Sequence, residues 1–314
     1  MPQFTNLDAG ETVFFNRELE SIKSKTYDVI KAPLRAFELI PVDGTAGSGA
    51  ESIVYQQYDM VGMAKIISNY ADDLPRADVK GKEFVAKVKS IGNSYGYSLQ
   101  EVRAARFAGK PLEQRKSSAA TRAQRETWNR IAFYGDAENG LPGLLTNPNI
   151  PSAAVADDGT GDATEFTTKT PEQILRDLNS LVNGIVTTTK GAEKPDTLVL
   201  PLAQYTYIAT TVYGNASDDT ILDVFLKNSP FITSVEWADE LSATNLAANG
   251  ITDFTGDIMI AYERSEDKLT FEMPQSFEQL PVQEKGLEYV VNCHSRVGGT
   301  LVYYPLAFSI GEGI

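Results

Sequence analysis

Two β-like runs constrain this chain more than any other feature. Residues 51–67 alternate in part, Ile53 and Tyr55 against Val54, Gln56 and Tyr58, and continue through Met60 to Ile67. Residues 83–91 repeat the pattern, with Lys87 and Lys89 on one face. Between them, Asn69 to Lys82 is a polar, turn-prone tip holding Asp72, Asp73, Pro75, Arg76, Asp78, Lys80 and Gly81. The pattern predicts a long two-stranded ribbon. Two strands alone bury too little surface and leave two open edges, so such a ribbon is at best marginally stable by itself. It must lie against another part of the chain or against another chain.

Upstream, residues 1–35 scatter Phe4, Leu7, Val13, Phe14 and Phe15 among charges and read as an arm that needs something to pack on, with a short helix over 16–25. Residues 36–42 predict a strand, ended by the turn-rich run 43–49. Downstream, Ser98-Leu99-Gln100-Glu101 is a capping box, in which Ser accepts from the third helical amide and Glu reaches back. The helix it opens should run to about Phe107 and stop at Gly109. Pro111 then stands where a first helical turn accepts proline, and 112–134 holds neither Gly nor Pro. That predicts a helix about 35 Å long at about 1.5 Å per residue. Ala120, Ala123, Trp128 and Ile131 form its apolar stripe, and Arg115, Lys116, Arg122, Arg125 and Arg130 its basic face.

Gly140 to Asn149 is a short apolar loop between breakers, and 151–169, rich in Asp, Gly, Thr and Ala, predicts a flexible linker. Thr170-Pro171-Glu172-Gln173 is a second capping box with proline at the first helical position; Ile174, Leu178, Leu181, Val182 and Ile185 share one face of the helix that follows. Beyond it, 197–200 predicts a strand stopped by Pro201, 202–211 a helix, and Asp219 the cap of a helix over 220–227. Residues 232–237 predict a strand, 257–263 and 268–273 a hairpin-like pair, and 287–310 a near-continuous β run broken at Gly298-Gly299. The fold class is α+β with segregated elements and no internal repeat.

Composition narrows the chemistry. The 314 residues include one Cys and one His, which excludes an intrachain disulfide and the usual Cys/His zinc site. The first residues carry no basic segment followed by an apolar run, and no stretch of about 18 apolar residues occurs, so the expectation is a soluble, unsecreted protein. Net charge is −14, and it is segregated: residues 76–130 carry 13 Lys/Arg against 5 Asp/Glu, residues 131–314 carry 9 against 26. The acidic remainder opposes tight non-specific binding to a phosphate backbone. The basic segment is expected to meet acidic surface on its own or a neighbouring copy.

Catalytic constellations are scarce. His294 is the single imidazole, and its neighbour Cys293 would point to the opposite face of a strand, so the two make no nucleophile–base pair. Residues 44–49 lack the Lys-Ser/Thr that follows a phosphate loop, and 157–162 lack the spacing and terminal Glu of a calcium loop. Tyr55, Tyr58, Tyr95 and Tyr97 do not interleave with Lys/Arg as an RNA-reading sheet requires. Adjacent carboxylates at Asp218/Asp219 and Asp239/Glu240 are the remaining material for an enzyme, without a partner motif. The sequence carries more machinery for self-association than for chemistry.

The order of parts, with Tyr97-Ser98-Leu99-Gln100-Glu101, Gly109-Lys110-Pro111-Leu112, Ala132-Phe133-Tyr134-Gly135-Asp136 and Gly140-Leu141-Pro142-Gly143-Leu144-Leu145-Thr146-Asn147, resembles the major capsid proteins of tailed phages with the Hong Kong 97-like fold. The resemblance implies an N-terminal arm over 1–35, a strand of the peripheral (P) domain over 36–47 and an extended E-loop ribbon over 48–92. It further implies a P domain over 93–169 with its spine helix at 112–134, an axial (A) domain over 170–280, and P-domain strands over 281–314. It implies a non-enzymatic shell protein, without cofactor or metal, that assembles through hexamers and pentamers around double-stranded DNA. Portal, separate scaffolding and decoration proteins are the further partners it implies, with no membrane; the place is the virion capsid, after synthesis in the host bacterial cytoplasm.

Inter-subunit contact is expected at Phe4, Phe14, Phe15, Arg17, Tyr58, Lys65, Tyr70, Asp72, Asp73, Arg76, Lys80 and Lys82. Some relatives crosslink a ribbon Lys to a distant Asn; Lys65 stands in the ribbon, but nothing in the sequence identifies the Asn or an activating carboxylate. The competing readings are an encapsulin-like cellular compartment with the same fold and a carboxylate-dependent enzyme.

Overall fold

The sheet at the centre is apolar on both faces, as its sequence requires. Strand β8, Ile258–Tyr262, reads Ile-Met-Ile-Ala-Tyr and is buried throughout. Ile258, Ile260 and Tyr262 join one core cluster while Met259 and Ala261 join another, the period of two that a strand imposes. In this computed structural model residues 29–65, 76–109, 112–214 and 218–314 are described, the side chains of residues 112 and 113 excepted. Residues 1–33 and 34–314 form two separate units, and the architecture that follows is that of the second.

Five strands make the central sheet, in the order β5 (Ser152–Ala154), β14 (Phe308–Glu312), β8, β6 (Thr197–Leu200), β7 (Ser234–Trp237). One face is covered by α4 (Pro171–Thr188) and α6 (Ile221–Asn228), whose Ile174, Leu178 and Phe225 are fully buried. Helix α5 (Leu202–Thr210) follows β6 after Pro201, as expected. The other face meets the end of the long helix α3, Leu112–Tyr134, through Ile131, Phe133 and the stacked rings of Tyr262 and Phe308. The bounds of α3 are those the sequence predicts.

Gly135 ends α3 with φ +67°, a conformation that favours glycine, and a Cβ there would fall 2.6 Å from the Leu141 carbonyl oxygen. The loop after it folds back so that the Leu144 and Leu145 amides bond the Ala132 and Phe133 carbonyls at 2.9 Å. That satisfies acceptors which a helix end leaves without an intrahelical partner.

Two smaller sheets complete the unit. One has the order β1 (Val42–Asp43), β9 (Leu269–Glu272), β13 (Gly299–Val302). The other joins β10 (Gln275–Gln279), β12 (Glu288–Val297) and β11 (Gln283–Lys285), with β4 (Lys89–Ser98) paired along the whole length of β12. Strands β2 (Ser52–Val61) and β3 (Asp78–Lys87) pair only with each other.

Several expectations are corrected. Residues 36–39 are a helical turn, α1, rather than a strand: Ala36, Leu39 and Ile40 are buried at helical spacing, and the Ala36 amide bonds Asn129 Oδ1 at 2.9 Å. The second β run splits at buried Val88, so Lys87 ends β3 and Lys89 begins β4 rather than sharing a face of one strand. The ribbon's second strand thus ends at Lys87, and Lys80 and Lys82 lie within β3 rather than in a tip. Ala123 is exposed, and Gln124 takes its place in the buried stripe of α3 with Ala120, Trp128 and Ile131.

The segment over 151–169 is packed rather than a linker. Its β5 pairs with β14, Phe166 is fully buried, and Lys169, 0% exposed at its side chain, holds Asp177 at 2.5 Å. Thr220, not Asp219, caps α6, with its box completed by Asp223. Strands β8 and β9 are not a hairpin, because they belong to different sheets. The run 281–314 does not return as one unit: β12 and β13 join the smaller sheets, and β14 enters the central one.

Candidate assembly interface

The ribbon has two unlike faces, set by strand alternation. Its register places Tyr55 opposite Phe84, Gln57 opposite Lys82 and Asp59 opposite Lys80 on one face. On the other, Val54 lies opposite Val85, Tyr58 opposite Gly81 and Met60 opposite Val79. The first face is seated on the body at its root. Tyr55 stacks on Phe84 at 5.0 Å and meets the Tyr303 ring edge-on at 4.9 Å, while Lys82 Nζ lies 4.7 Å over Phe84. A Cβ added at Gly298 would lie 3.2 Å from Ile53 Cδ1 and 2.9 Å from Glu272 Cβ, so the ribbon root needs that glycine.

At the seat, buried Glu272 and Thr270 form a polar triad with half-buried Tyr303. Glu272 Oε1 accepts from Thr270 Oγ1 at 2.8 Å and from Tyr303 OH at 3.2 Å. Burial, aided by the Asp43 charge, raises the Glu272 carboxyl above its ordinary value, against the opposing hydroxyl bonds. Burial pushes the Tyr303 phenol up to about 12. Sequence reading missed this triad; its available signal was one carboxylate between Phe271 and Met273 in an otherwise apolar run.

The second ribbon face is largely exposed: Val54, Val85, Tyr58, Met60 and Val79 are 48%, 65%, 62%, 84% and 57% exposed, and only near the root do Val85 and Lys87 approach the body, beside Gly140. Soluble sheets ordinarily turn a polar face outward, so an apolar one marks a surface that something else covers. Tyr58 lies over Gly81, where a Cβ would come within 2.9 Å of the ring, and its hydroxyl bonds Gln56.

A second incomplete surface lies across the unit. Helix α2, Leu99–Ala108, has its predicted capping box and ends at Gly109 in the left-handed conformation, yet none of its residues is buried. Between it and the β4–β12 pair runs an open groove of about 1150 Å³, walled by Leu99 and Val102 on one side and Tyr95, Tyr97 and Tyr289 on the other. Arg103 and Arg106 are the charged residues lining it among the described ones.

Of the predicted contact residues, Tyr58, Lys65, Arg76, Lys80 and Lys82 are exposed. Phe4, Phe14, Phe15, Arg17, Tyr70, Asp72 and Asp73, with the helix over 16–25, lie outside the described residues. Apart from Lys116, the basic residues of α3 fall on the half turned away from its buried stripe, at about 100° per residue. Arg115, Arg125 and Arg130 are exposed; Arg122 Nε pairs with Glu126 at 2.8 Å. Lys116 instead turns inward, donating to the Gly96 carbonyl at 2.7 Å and pairing with Glu101 at 3.2 Å.

The chemical candidates do not converge. Cys293 is buried and His294 half-exposed on the alternate face of β12, and burial raises the thiol. Asp218 is exposed and Asp219 pairs with Lys227 at 2.6 Å. Asp239 Oδ2 accepts from Asn245, and Glu240 Oε1 from Asn129. Among the described residues no group of three or more His, Cys, Asp and Glu is placed to hold a metal, and no helix is long and apolar enough to cross a membrane.

Comparison with known proteins follows the same line. A comparison with curated proteins gives no match. The capsid of Myoviridae phage XM1 is similar in structure, with a TM-score of 0.80 at 17% identity over 96% of this chain and 99% of that one. The capsid of a native GTA particle is similar with a TM-score of 0.66 at 11% identity, over 95% and 96% of the two chains. A virus-like particle from Pyrococcus furiosus gives 0.52 at 11% identity, over 88% and 91%. A family described as Major capsid protein matches residues 62–314. Matched over most of its length, and folded as phage capsid proteins are, the chain belongs to the major capsid protein family and has the Hong Kong 97-like capsid fold.

Proposed function

We propose that this chain is the shell subunit of a tailed double-stranded DNA phage, closing through hexamers and pentamers into an icosahedral container. The observation that carries the reading, beside family membership, is the ribbon: ten residue pairs long, attached at its root, with an apolar face that its own chain leaves uncovered. Such an element finds its stability on a neighbouring copy, and repeated heterologous contacts of that kind close into rings. In this reading residues 52–87 are the E-loop, α3 is the P-domain spine, and the central sheet with α4 and α6 is the A domain. The ribbon residues Tyr58, Lys65, Arg76, Lys80 and Lys82 meet a neighbour, as do the arm residues.

The protein acts as a structural element and not as an enzyme, with the carboxylate pairs serving caps and ion pairs. It is made in the host cytoplasm and ends in the virion, where its acidic majority lets enclosed DNA slide. Portal, scaffolding and decoration proteins are its further partners. Membership of a family described as Major capsid protein favours the phage reading over a cellular compartment.

Negative-stain electron microscopy with light scattering on the purified protein tests this. Uniform hollow shells or six-membered rings are the expected result, alone or with a co-expressed scaffolding protein. A strict monomer or dimer at high salt, with crowding agent and with scaffold present, overturns it.

A further inference from the structure

The long helix α3 has two unlike faces. Its inner one is fixed to the β4–β12 pair by side-chain bonds: Asn93 Nδ2 donates to the Ala120 carbonyl at 2.8 Å, Gln124 Nε2 to Asn93 Oδ1 at 3.0 Å, and Trp128 Nε1 to Ser295 Oγ at 3.1 Å. Ala120 closes the contact against Val291 and Cys293. The helix is therefore held as a rail, and the groups on its outer face are held with it.

That outer face carries Arg115, Arg122, Arg125 and Arg130, spanning about 22 Å at about 1.5 Å per residue. The exposed residues between them are small: Ser118, Ala119 and Ala123. Protein partners are gripped chiefly through aromatic and other large anchors, and no such side chain stands exposed between the described arginines of the row. Guanidinium forks separated by small side chains suit a smooth anionic rod instead, because the fork matches phosphate oxygens. Two acids temper the row. Glu126 pairs with Arg122 at 2.8 Å, and Arg130, after the Asn139 side chain, helps to lower the Asp136 carboxyl. The other side of the β4–β12 pair has no comparable row: Asn292, His294 and Arg296 face Ser94, Gly92 and Ser90, with Glu278 beside His294.

We infer that the outer face of α3 lines the lumen of the shell and bears on the phosphate backbone of the enclosed duplex, with Arg115 and Arg125 as its principal contacts. The inference rests on the shell reading above and names the strip of wall that DNA meets. A few phosphates neutralised per copy make a sequence-independent contact. The acidic remainder, 9 Lys/Arg against 26 Asp/Glu over residues 131–314, keeps that contact weak enough for the duplex to move.

Site-directed photocrosslinking tests the contact, since Cys293 is the single native thiol and is buried. S118C on the row and S94C on the opposite side of the sheet, both exposed positions, each receive an azidophenacyl group and are irradiated as unassembled protein with a short synthetic duplex at low salt. S118C should crosslink about tenfold more DNA than S94C; adding R115Q/R125Q should remove that excess and lower the slope of log yield against log salt by about 2, at about 0.9 per phosphate. R115K/R125K, which keeps the charge, should preserve the slope. Equal crosslinking from the two positions, or a slope unchanged by R115Q/R125Q, overturns the DNA contact. In assembled shells S118C should react with a small maleimide but not with one carried on a polymer too large to enter. Labelling by the polymer, or by neither reagent, overturns the lumenal placement. These outcomes leave the shell reading standing. Failure of the unmodified protein to assemble overturns that reading and the lumenal placement with it, while the crosslinks still decide the DNA contact.

Discussion

The central sheet and the ribbon are built from similar strands and solve opposite problems. Strand β8 is buried on both faces and supported by α4 and α6 on one side and α3 on the other. Strands β2 and β3 have one face half-seated at the root and one face in solvent. The first region is complete within one chain. The second leaves an apolar face in solvent, and α2 likewise has capped ends and no buried residue. In the shell reading proposed above, stability of the protomer and competence to assemble therefore fall to different residues.

Truncation separates these roles most sharply. Leu178→Ala, in the fully buried face of α4, should destabilise the protomer by about 2–5 kcal/mol, since it loses both transfer free energy and packing. Met60→Ala, 84% exposed on the ribbon, should change protomer stability by less than about 0.5 kcal/mol, yet lower particle yield. Urea unfolding of unassembled protomers, paired with light scattering of assembly, reads both. Equal losses of stability from the two variants would break the comparison.

Acidity distinguishes the ribbon seat from the surface. Glu272 has its carboxyl raised by burial, so the folded state holds its proton more tightly than the unfolded chain does. Its contribution to stability is present in full below the ordinary value of 4.5 and is lost as pH rises through the raised one. Glu101, Asp158 and Asp223 behave in the opposite sense: backbone and side-chain hydrogen bonds lower them, and their stabilisation is lost only as pH falls through the lowered values. Acidification from neutral toward 4.5 should therefore tighten the root of the ribbon before further acid weakens the caps. Glu272→Gln should remove the first phase and leave the second, measured as hydrogen exchange of residues 53–55 and 84–86 against pH. A first phase retained in that variant would show that another group carries it.

The capping boxes compare the two regions with one chemistry. Ser98 with Glu101 opens α2, and Thr170 with Gln173 opens α4. Removing either cap, as Ser98→Ala or Thr170→Ala, costs its helix about 1 kcal/mol. In α4 the loss should reach the global unfolding midpoint, because the helix holds six buried residues. In α2 the midpoint should hold while hydrogen exchange of residues 99–108 speeds up. A global shift from Ser98→Ala would mean that α2 is already part of the protomer core.

These boxes were legible in the sequence because a cap is local chemistry within four residues. The bounds of α3 were legible for the same reason, as an uninterrupted run between Pro111 and Gly135. The α1 turn was not, since Ala36-Phe37-Glu38-Leu39-Ile40 suits either period until Asn129 and the core decide it. Nor was the packing of 155–169, which depends on Phe166 and on Lys169 and Arg176 reaching Asp177 and Asp158. Strand order is likewise a tertiary outcome: β14 lies beside β8 through a register no local pattern states. Of the assembly surface, the ribbon was readable from alternation, but its face assignment, the Glu272 triad and the α2 groove required partners distant in sequence.

The smallest expected effect concerns the exposed charges of the ribbon's inner face. Asp59 and Lys80 stand opposite each other in register near its outer end, and Arg76 precedes β3. Cross-strand opposite charges contribute about 0.2–1 kcal/mol, and exposed ion pairs at an interface rim fall in the same range. Reversing both cations, as Arg76→Glu with Lys80→Glu, sets like charges opposite each other at Asp59 and should therefore cost the protomer no more than about 1 kcal/mol and weaken assembly modestly. Because the contacts are exposed, the deficit should shrink as salt shortens the screening length, which is about 8 Å at about 0.15 M and about 3 Å at 1 M. Light scattering across a salt series measures it. A deficit that persists at about 1 M would place these cations inside a desolvated contact; no deficit at any salt would remove them from the contact.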